Sequence, residues 1–432
     1  MIKLYRENLE FGEFSKFDTT IGELESISEK EFNILEKREP EIKVYDHGLS
    51  PNRTGFPRRI YFQITRKCNL SCDYCFIKAS PDQHHLDKNV IFKIADYCGQ
   101  KGLMEVRLTG GEPTLHPDFI EIYERFKKNN IYVSVATNGI WSREIRNFLI
   151  NQENLWVIVS VDGSKATHNR YRNGSYDRIV ENLEKLKTKN PCARIRINTV
   201  LTKSNKEDLE NLAALAKTIG AESITLIPLR PQVRNPAIKN EMLTSREFKH
   251  IIERMVVYKK QYGVNFTTTM ETDYKDDIMA DKIFTKKSSC AAGREGTNLD
   301  FDYAKKKLVV YACSYCPASD PDADQLIRAP FIAGDFNFDD VEKFGDIWNN
   351  DDNWALFRDL SLKSEECRTC DELGSRCTGS CPIQNLDLDE LNLKIDVKNQ
   401  LKQQMRQNAE WYCFKKIFTR RDESGADWSV HV

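Results

Sequence analysis

Residues 60–76, IYFQITRKCNLSCDYCF, decide how this chain is read. The run 60–65 is a short apolar stretch of the kind a strand makes, and it then breaks into a loop holding three cysteines. Cys68, Cys72 and Cys75 are separated by three and then two residues. Three thiolates can hold a cubic iron–sulfur cluster and still leave one iron without a protein ligand, and an open iron is where a small molecule binds and reacts. A zinc ion held by the same thiols and a distant ligand is the competing reading.

Working outward, five more short apolar runs follow, at 104–108, 131–136, 156–161, 194–201 and 223–227, with helical segments between them. In 117–128, Phe119, Ile122, Tyr123 and Phe126 share one helix face; in 206–219, Leu209, Leu212, Ala213 and Ala216 do the same. Strand and helix in alternation predict an α/β fold, here a partial TIM-like barrel of six β/α units, with its site at the carboxyl ends of the strands. Upstream, residues 1–57 read as a small α+β appendage, with a hairpin within 9–28, an amphipathic stretch over 29–36, and a Pro/Gly/Arg-punctuated connection from Lys43. Beyond residue 235 the alternation stops. A helix starts at Thr244, which has capping-box spacing to Glu247, and runs through Tyr262. From Ser288 the chain is rich in cysteine and loops, a composition in which bound metal replaces a missing apolar core. The chain therefore divides into 1–57, 58–235 (the barrel), 236–287 (a bridging helical segment) and 288–432 (a cysteine-rich domain).

Composition narrows the function classes. The 432 residues carry 64 basic and 65 acidic side chains, so no global charge favours nucleic acid or an anionic membrane. No run of about 18 apolar residues and no charged-then-apolar leader is seen, which places the protein in the cytoplasm with no membrane partner. Thirteen cysteines suit metal ligands better than disulfides in such a reducing compartment, and eleven of them fall in clusters. Cys98 shares a helix face with Ile91, Ile94 and Ala95 and reads as a buried structural thiol, whereas Cys192 precedes a strand and carries no role. His168, near the end of the fourth strand, reads as a surface or capping residue rather than a pocket one.

The cysteine loop, with Tyr74 before its last cysteine, resembles that of the radical S-adenosylmethionine (radical SAM) enzymes. The resemblance extends to Gly110, Gly111, Glu112 and Pro113 after the second strand, matching the family's GGEP motif. It extends further to Thr137, Asn138 and Gly139 after the third strand and to Ser160, Asp162 and Gly163 in the fourth. It implies that Cys68, Cys72 and Cys75 hold a 4Fe-4S cluster whose open iron binds SAM. It also implies that Tyr74, Gly110, Gly111, Glu112, Asn138, Ser160, Arg172 and Leu229 line the SAM site, with Glu112 facing the amino group, Arg172 the carboxylate and Leu229 the adenine. The bland readings of Ser160, Arg172 and Leu229 are a cap, a surface charge and a core side chain.

Cys367, Cys370, Cys377 and Cys381 form a dense second run, with Cys290, Cys313 and Cys316 before it and Cys413 after. Eight thiols suit two four-cysteine clusters, and a zinc ribbon is the alternative. The run resembles the SPASM auxiliary-cluster domain. By that resemblance Cys367, Cys370, Cys377 and Cys413 hold one cluster and Cys290, Cys313 and Cys381 another, with Cys316 either a fourth ligand or leaving an iron open. Two departures stand out: six residues instead of five separate Cys370 from Cys377, and Leu308 occupies the position of a usual glycine. The two resemblances together imply an oxidoreductase with three 4Fe-4S clusters and SAM that modifies a ribosomally synthesised (RiPP) precursor peptide by a thioether or carbon–carbon crosslink. An electron donor such as flavodoxin or ferredoxin would serve it. The alternatives are a small-molecule dehydrogenase or epimerase, a formylglycine-forming sulfatase maturase, disfavoured because Ser314 stands where that subfamily has an aspartate, and a noncatalytic metal scaffold. No catalytic acid or base is assignable from sequence.

Overall fold

The computed structural model describes residues 1–8, 13–38, 41–46, 53–230, 234–268, 290–371, 373, 381, 383 and 386–407. Two sheets organise them. A four-stranded sheet near the N-terminus has the order β3-β2-β1-β4, from β1 (Ile2–Asn8), β2 (Glu13–Asp18), β3 (Glu23–Ile27) and β4 (Lys43–Asp46), with helix α1 (Glu29–Arg38) between the last two. The hairpin expected within 9–28 is β2 with β3. The segment from Lys43, read as a connection, is in part a strand, β4, parallel to β1. Its four residues are too few and too polar for periodicity to show it.

The second sheet has ten strands in the order β11-β10-β9-β8-β7-β6-β5-β12-β13-β14. Its heart is the six expected strands, all parallel: β5 (Arg59–Thr65), β6 (Glu105–Gly110), β7 (Tyr132–Thr137), β8 (Trp156–Ser160), β9 (Arg194–Leu201) and β10 (Ser223–Pro228). Helices α2 (Lys88–Gln100), α3 (Phe119–Lys128), α4 (Arg143–Ile150), α5 (Lys165–Tyr171), α6 (Tyr176–Lys189) and α7 (Leu209–Thr218) connect them. The helices cover one face of the sheet, burying Val106, Leu108, Val133, Val135, Val157, Val159, Ile195 and Ile197 in the main core. The sheet remains open and continues past both ends of the expected set. Helix α8 (Ser245–Tyr262) begins with the expected Thr244–Glu247 capping box. It leads into β11 (Asn265–Thr268), parallel to β10, so the alternation runs one unit further than its pattern suggested. On the other side β12 (Gly296–Asp302) pairs parallel with β5, and β13 (Lys307–Tyr311) and β14 (Ile332–Asn337) follow antiparallel. The cysteine-rich segment thus contributes strands to the barrel sheet.

The face away from the helices carries every second residue. On β9 it presents Arg194, Arg196, Asn198 and Val200, all part-exposed, while Ile195, Ile197, Thr199 and Leu201 are buried. At the carboxyl ends of the neighbouring strands Thr109, Ala136, Ser160 and Ile227 are likewise part-exposed. These side chains line an open lumen.

The N-terminal sheet seals the other end of that lumen. Tyr5 and Phe17 pack with Met104, Tyr132, Trp156 and Ile158 in a separate apolar cluster. The Lys3 ammonium donates to the Leu103 carbonyl at 2.7 Å, the Tyr5 hydroxyl to that of Gly102 at 2.8 Å, and Arg194 to that of Ile21 at 3.2 Å. Gly22, at φ 71°, lies so close to the Tyr132 ring that a Cβ would sit 2.5 Å from it. Among the described residues no helix is long and apolar enough to cross a membrane.

Candidate active site

Strand β5 ends at Thr65 and the cysteine loop begins at the mouth of the lumen. Cys68 and Cys72 are buried and Cys75 is half-buried. Nitrogen donors point at the first two sulfurs: Leu70 N at 3.4 Å and Asn138 Nδ2 at 3.8 Å from Cys68 Sγ, and Arg172 Nη1 at 3.9 Å from Cys72 Sγ. Burial pushes the Cys68 thiol up to about 12 and raises that of Cys72. A thiolate persists in such a place only against a metal centre. N–H groups aimed at ligand sulfurs are what an iron–sulfur cluster needs around it, so the three residues fit one.

The Gly110–Gly111–Glu112 run clamps this loop in place. Gly111 N donates to Thr65 O and Glu112 N to Lys67 O, both at 2.8 Å. A Cβ on Gly110 would lie 2.1 Å from Thr65 O, and one on Gly111 2.1 Å from Lys67 O; Gly110 also has φ 141°. Both positions require glycine because two backbones meet there. The Glu112 carboxylate is fully buried and accepts from Thr114 N, Thr114 Oγ1, Thr137 Oγ1 and Asn138 N, at 2.6–3.2 Å. Oε1 takes three of these donors and Oε2 one, and together they tie the ends of β6 and β7.

A second buried network centres on Asp162, just past β8. Its Oδ2 accepts from Arg172 Nε at 2.6 Å and from the Tyr74 hydroxyl, while Oδ1 accepts from Val200 N at 2.9 Å. The Arg172 guanidinium also lies over the Tyr74 ring, 5.0 Å from its centre. Arg172 is therefore no surface charge: it is buried beside Cys72 and aimed by Asp162. Asp162, singled out by sequence only as a polar strand-end atom, is the hub. His168 is fully buried, contrary to its reading as a surface or capping residue. Its Nδ1 accepts from Asp162 N at 3.3 Å and its Nε2 meets Ser175 Oγ at 2.9 Å. Burial, reinforced by Arg172, lowers it to about 4, so it is neutral.

Asn138 bridges to the cysteine loop through Asn69 Oδ1 at 2.7 Å. Ser160 closes β8 on the lumen face, paired with Asn198 of β9. Leu229 is buried just beyond β10, its N–H bonded to Leu201 O at 3.2 Å. Sequence reasoning passed over Arg230 entirely. Its guanidinium lies over Phe76 and over Tyr315, 4.1 and 3.3 Å from the ring centres, and donates to the Ser314 carbonyl. It thus joins the loop after Cys75 to the loop between Cys313 and Cys316. Lys78 reinforces the junction through Asp320 and Asp322 at 2.8 and 2.9 Å.

Of the C-terminal cysteines, Cys290, Cys313, Cys316, Cys367, Cys370 and Cys381 are described; Cys377 and Cys413 lie outside the described residues. Cys313 and Cys316 come together: Cys316 Sγ is 2.9 Å from Cys313 O, and contact between the two thiols raises that of Cys313. Cys367 and Cys370 share one turn, Cys370 N donating to Cys367 O at 3.0 Å.

Residues 62–216 match the Radical SAM superfamily. Among characterised proteins, the mycofactocin maturase MftC of Mycolicibacterium smegmatis is 26% identical over 346 residues, covering 79% of this chain and 80% of that protein. The AdoMet-dependent heme synthase of Methanosarcina barkeri is 25% identical over 343 residues, covering 76% and 91%. Among solved structures, Streptococcus suis SuiB bound to its precursor peptide SuiA superposes with a TM-score of 0.67 at 16% identity, over 95% of this chain and 98% of that one. The enzyme anSMEcpe with bound AdoMet and the Cp18Cys peptide gives 0.58 at 21% identity, over 81% and 96%.

Proposed function

We propose that this radical SAM enzyme cleaves S-adenosylmethionine reductively to a 5'-deoxyadenosyl radical and uses it to modify a ribosomally synthesised peptide, forming a thioether or carbon–carbon crosslink. The observation that carries the first half is the cysteine loop clamped at the mouth of an open lumen, with Arg172 aimed at it by Asp162. When bound, a cluster on Cys68, Cys72 and Cys75 supplies the electron for SAM cleavage. Arg172 offers a fixed cation for the SAM carboxylate, the rim from Gly110 to Glu112 offers backbone atoms, and Asn138, Ser160 and Leu229 border the space for the nucleoside. The peptide half is supported by the relatives: a maturase, and a similar fold solved with a precursor peptide. The edge strand β3, exposed along most of its length, gives such a peptide unpaired backbone to extend, which would make residues 1–57 a reduced recognition element.

The SPASM reading of residues 288–432 assigns Cys290, Cys313 and Cys381 to one auxiliary cluster, with Cys316 as a candidate fourth ligand. Cys367, Cys370, Cys377 and Cys413 take the other. A flavodoxin or ferredoxin supplies electrons. The Ser314 side chain is a neutral hydroxyl within 3.1 Å of Asn298 Oδ1, so it supplies no base of the kind the formylglycine reading needs.

The test is anaerobic reconstitution with iron, sulfide, SAM and a reductant. 5'-Deoxyadenosine should form and vanish in Cys72→Ala, and about twelve irons per chain should be found if both auxiliary sites fill. Formation of deoxyadenosine by the Cys72→Ala variant would sink the proposal. Incubation with the peptide encoded beside this gene should lower the peptide mass by about two units, as a crosslink requires by loss of two hydrogens; unchanged mass with deuterium uptake would mean epimerisation.

A further inference from the structure

The lumen narrows to an unbalanced group of cations. On β5 and β6, Arg59 and Arg107 share the single carboxylate of Glu105, at 2.6 and 3.0 Å. Arg107 is further held by Ser134 Oγ at 3.1 Å and lies near the Tyr61 hydroxyl at 3.4 Å. Arg196 comes from β9, three strands from β6 and four from β5 along the sheet. Its charge is felt by, and feels, those of Arg107, Arg59 and Glu105. Its guanidinium lies over Trp156, 4.8 Å from the ring centre, with Arg107 over the same indole at 5.2 Å. Among the described residues Arg196 has no ion-pair partner, and its Nε is buried without a hydrogen-bond partner. Burial, with Arg107 and Arg59 adding to it, pushes Arg196 down to about 10, which still leaves it charged at neutral pH.

Position gives this cation its meaning. Arg196 is part-exposed, whereas Ser134, Trp156 and Ile158 beside and beneath it are buried, so it is among the deepest charges that the open lumen reaches. It stands one inward step below Asn198, the partner of Ser160 at the proposed SAM level. One such step is about 6.7 Å along a strand. Arg194 lies over the Trp156 indole at 4.9 Å and is paired with Glu222, so this level holds four guanidiniums against two carboxylates. The missing complement is an anion with two coplanar acceptors, the shape a guanidinium binds best.

We propose that Arg196 is the anchor of a carboxylate-binding site at the foot of the lumen, and that the peptide segment entering it carries a carboxylate, from an acidic side chain or from the chain end. The assignment to a peptide rests on the maturase reading; the anion site does not.

The experiment measures binding to the reconstituted full-length protein by calorimetry, using short acetylated peptide amides that contain one Glu or the isosteric Gln. A matched pair ends in a free acid or an amide. Wild type should bind at least one acid more than about tenfold tighter than its amide. That preference should disappear in Arg196→Gln and persist in Arg196→Lys. Whether the Glu peptide or the free-acid peptide shows it identifies the source of the carboxylate, and either supports the site. Equal binding of acid and amide, no saturable binding of either acid, or a preference surviving in Arg196→Gln would overturn it. If Arg196→Gln fails to fold, wild-type Trp emission decides: the acid but not the amide should change it, and Trp156→Phe should remove that change; an acid-induced change that survives Trp156→Phe would overturn the site. Absence of deoxyadenosine in the separate SAM assay would remove the maturase reading without touching these outcomes.

Discussion

Asp162 serves three partners at once: an arginine, a tyrosine and the backbone of β9. Removing one member of a buried charged pair leaves the other desolvated and alone, at a cost of about 3–5 kcal/mol. Asp162→Asn is therefore expected to destabilise the protein by about that much in a denaturant melt and to weaken SAM binding; wild-type stability would show that the pair contributes little to the site's skeleton. Glu105 yields a pH prediction. Burial opposes its ionisation, but Arg59 and Arg107 overcome this and hold it at about 2. An unfolded glutamate titrates near 4.3, so its stabilising contribution is complete above about pH 5 and is lost as the pH falls toward 2. Glu105→Gln should lower the melting temperature at neutral pH and flatten its acid dependence. At this scale residue types and spacing were legible in the sequence, and the partners of each side chain were not. The cysteine spacing was plain, since ligand identity is written in residue type. Glu112 stood out in the sequence through its motif, yet its four donors come from two different strand ends, and such a gathering has no signature in any one segment.

Strands with β-branched, apolar runs were read correctly, because burial on the helix side forces that composition. Strands outside that pattern escaped, among them β1 and β14, and β4 and β11, which are four residues each. β11 reads Asn-Phe-Thr-Thr, with one fully apolar side chain. The docking of the N-terminal sheet was equally invisible, and it carries an element-scale prediction. Lys3 is buried at that contact, and burial, then the charge of Lys43, lowers it to about 7. In the unfolded chain a lysine keeps its proton to about 10.4. Between those values the folded state binds fewer protons, so this residue makes stability rise with pH. Melting temperatures from pH 7 to 10 should show that rise in wild type relative to Lys3→Met, and parallel curves would mean the amine is not titrating in the contact.

At the level of the whole molecule, the pairing of β12 with β5 makes one sheet of segments that the sequence divides into barrel and cysteine-rich module. Leu299, fully buried, stands opposite Phe62 in that pairing. Leu299→Ala should cost about 2–5 kcal/mol, and calorimetry should show a single transition moving to lower temperature. Two resolved transitions, only one of them displaced, would mean that the two parts melt independently. Nothing local announces this partnership, because periodicity describes a strand's faces and is silent about its neighbour. The same pairing sets an order of events during synthesis. At ribosomal rates of about 5–20 residues per second, roughly 10–50 s separate the emergence of Phe62 from that of Leu299. Through that interval Cys68, Cys72 and Cys75 are already out of the ribosome, while the strand flanking β5 and the Cys313–Cys316 loop across the junction are still unmade. The nascent thiols are then open to oxygen and to stray metal, so the yield of active protein should depend on how quickly iron delivery or an anaerobic cell covers that gap.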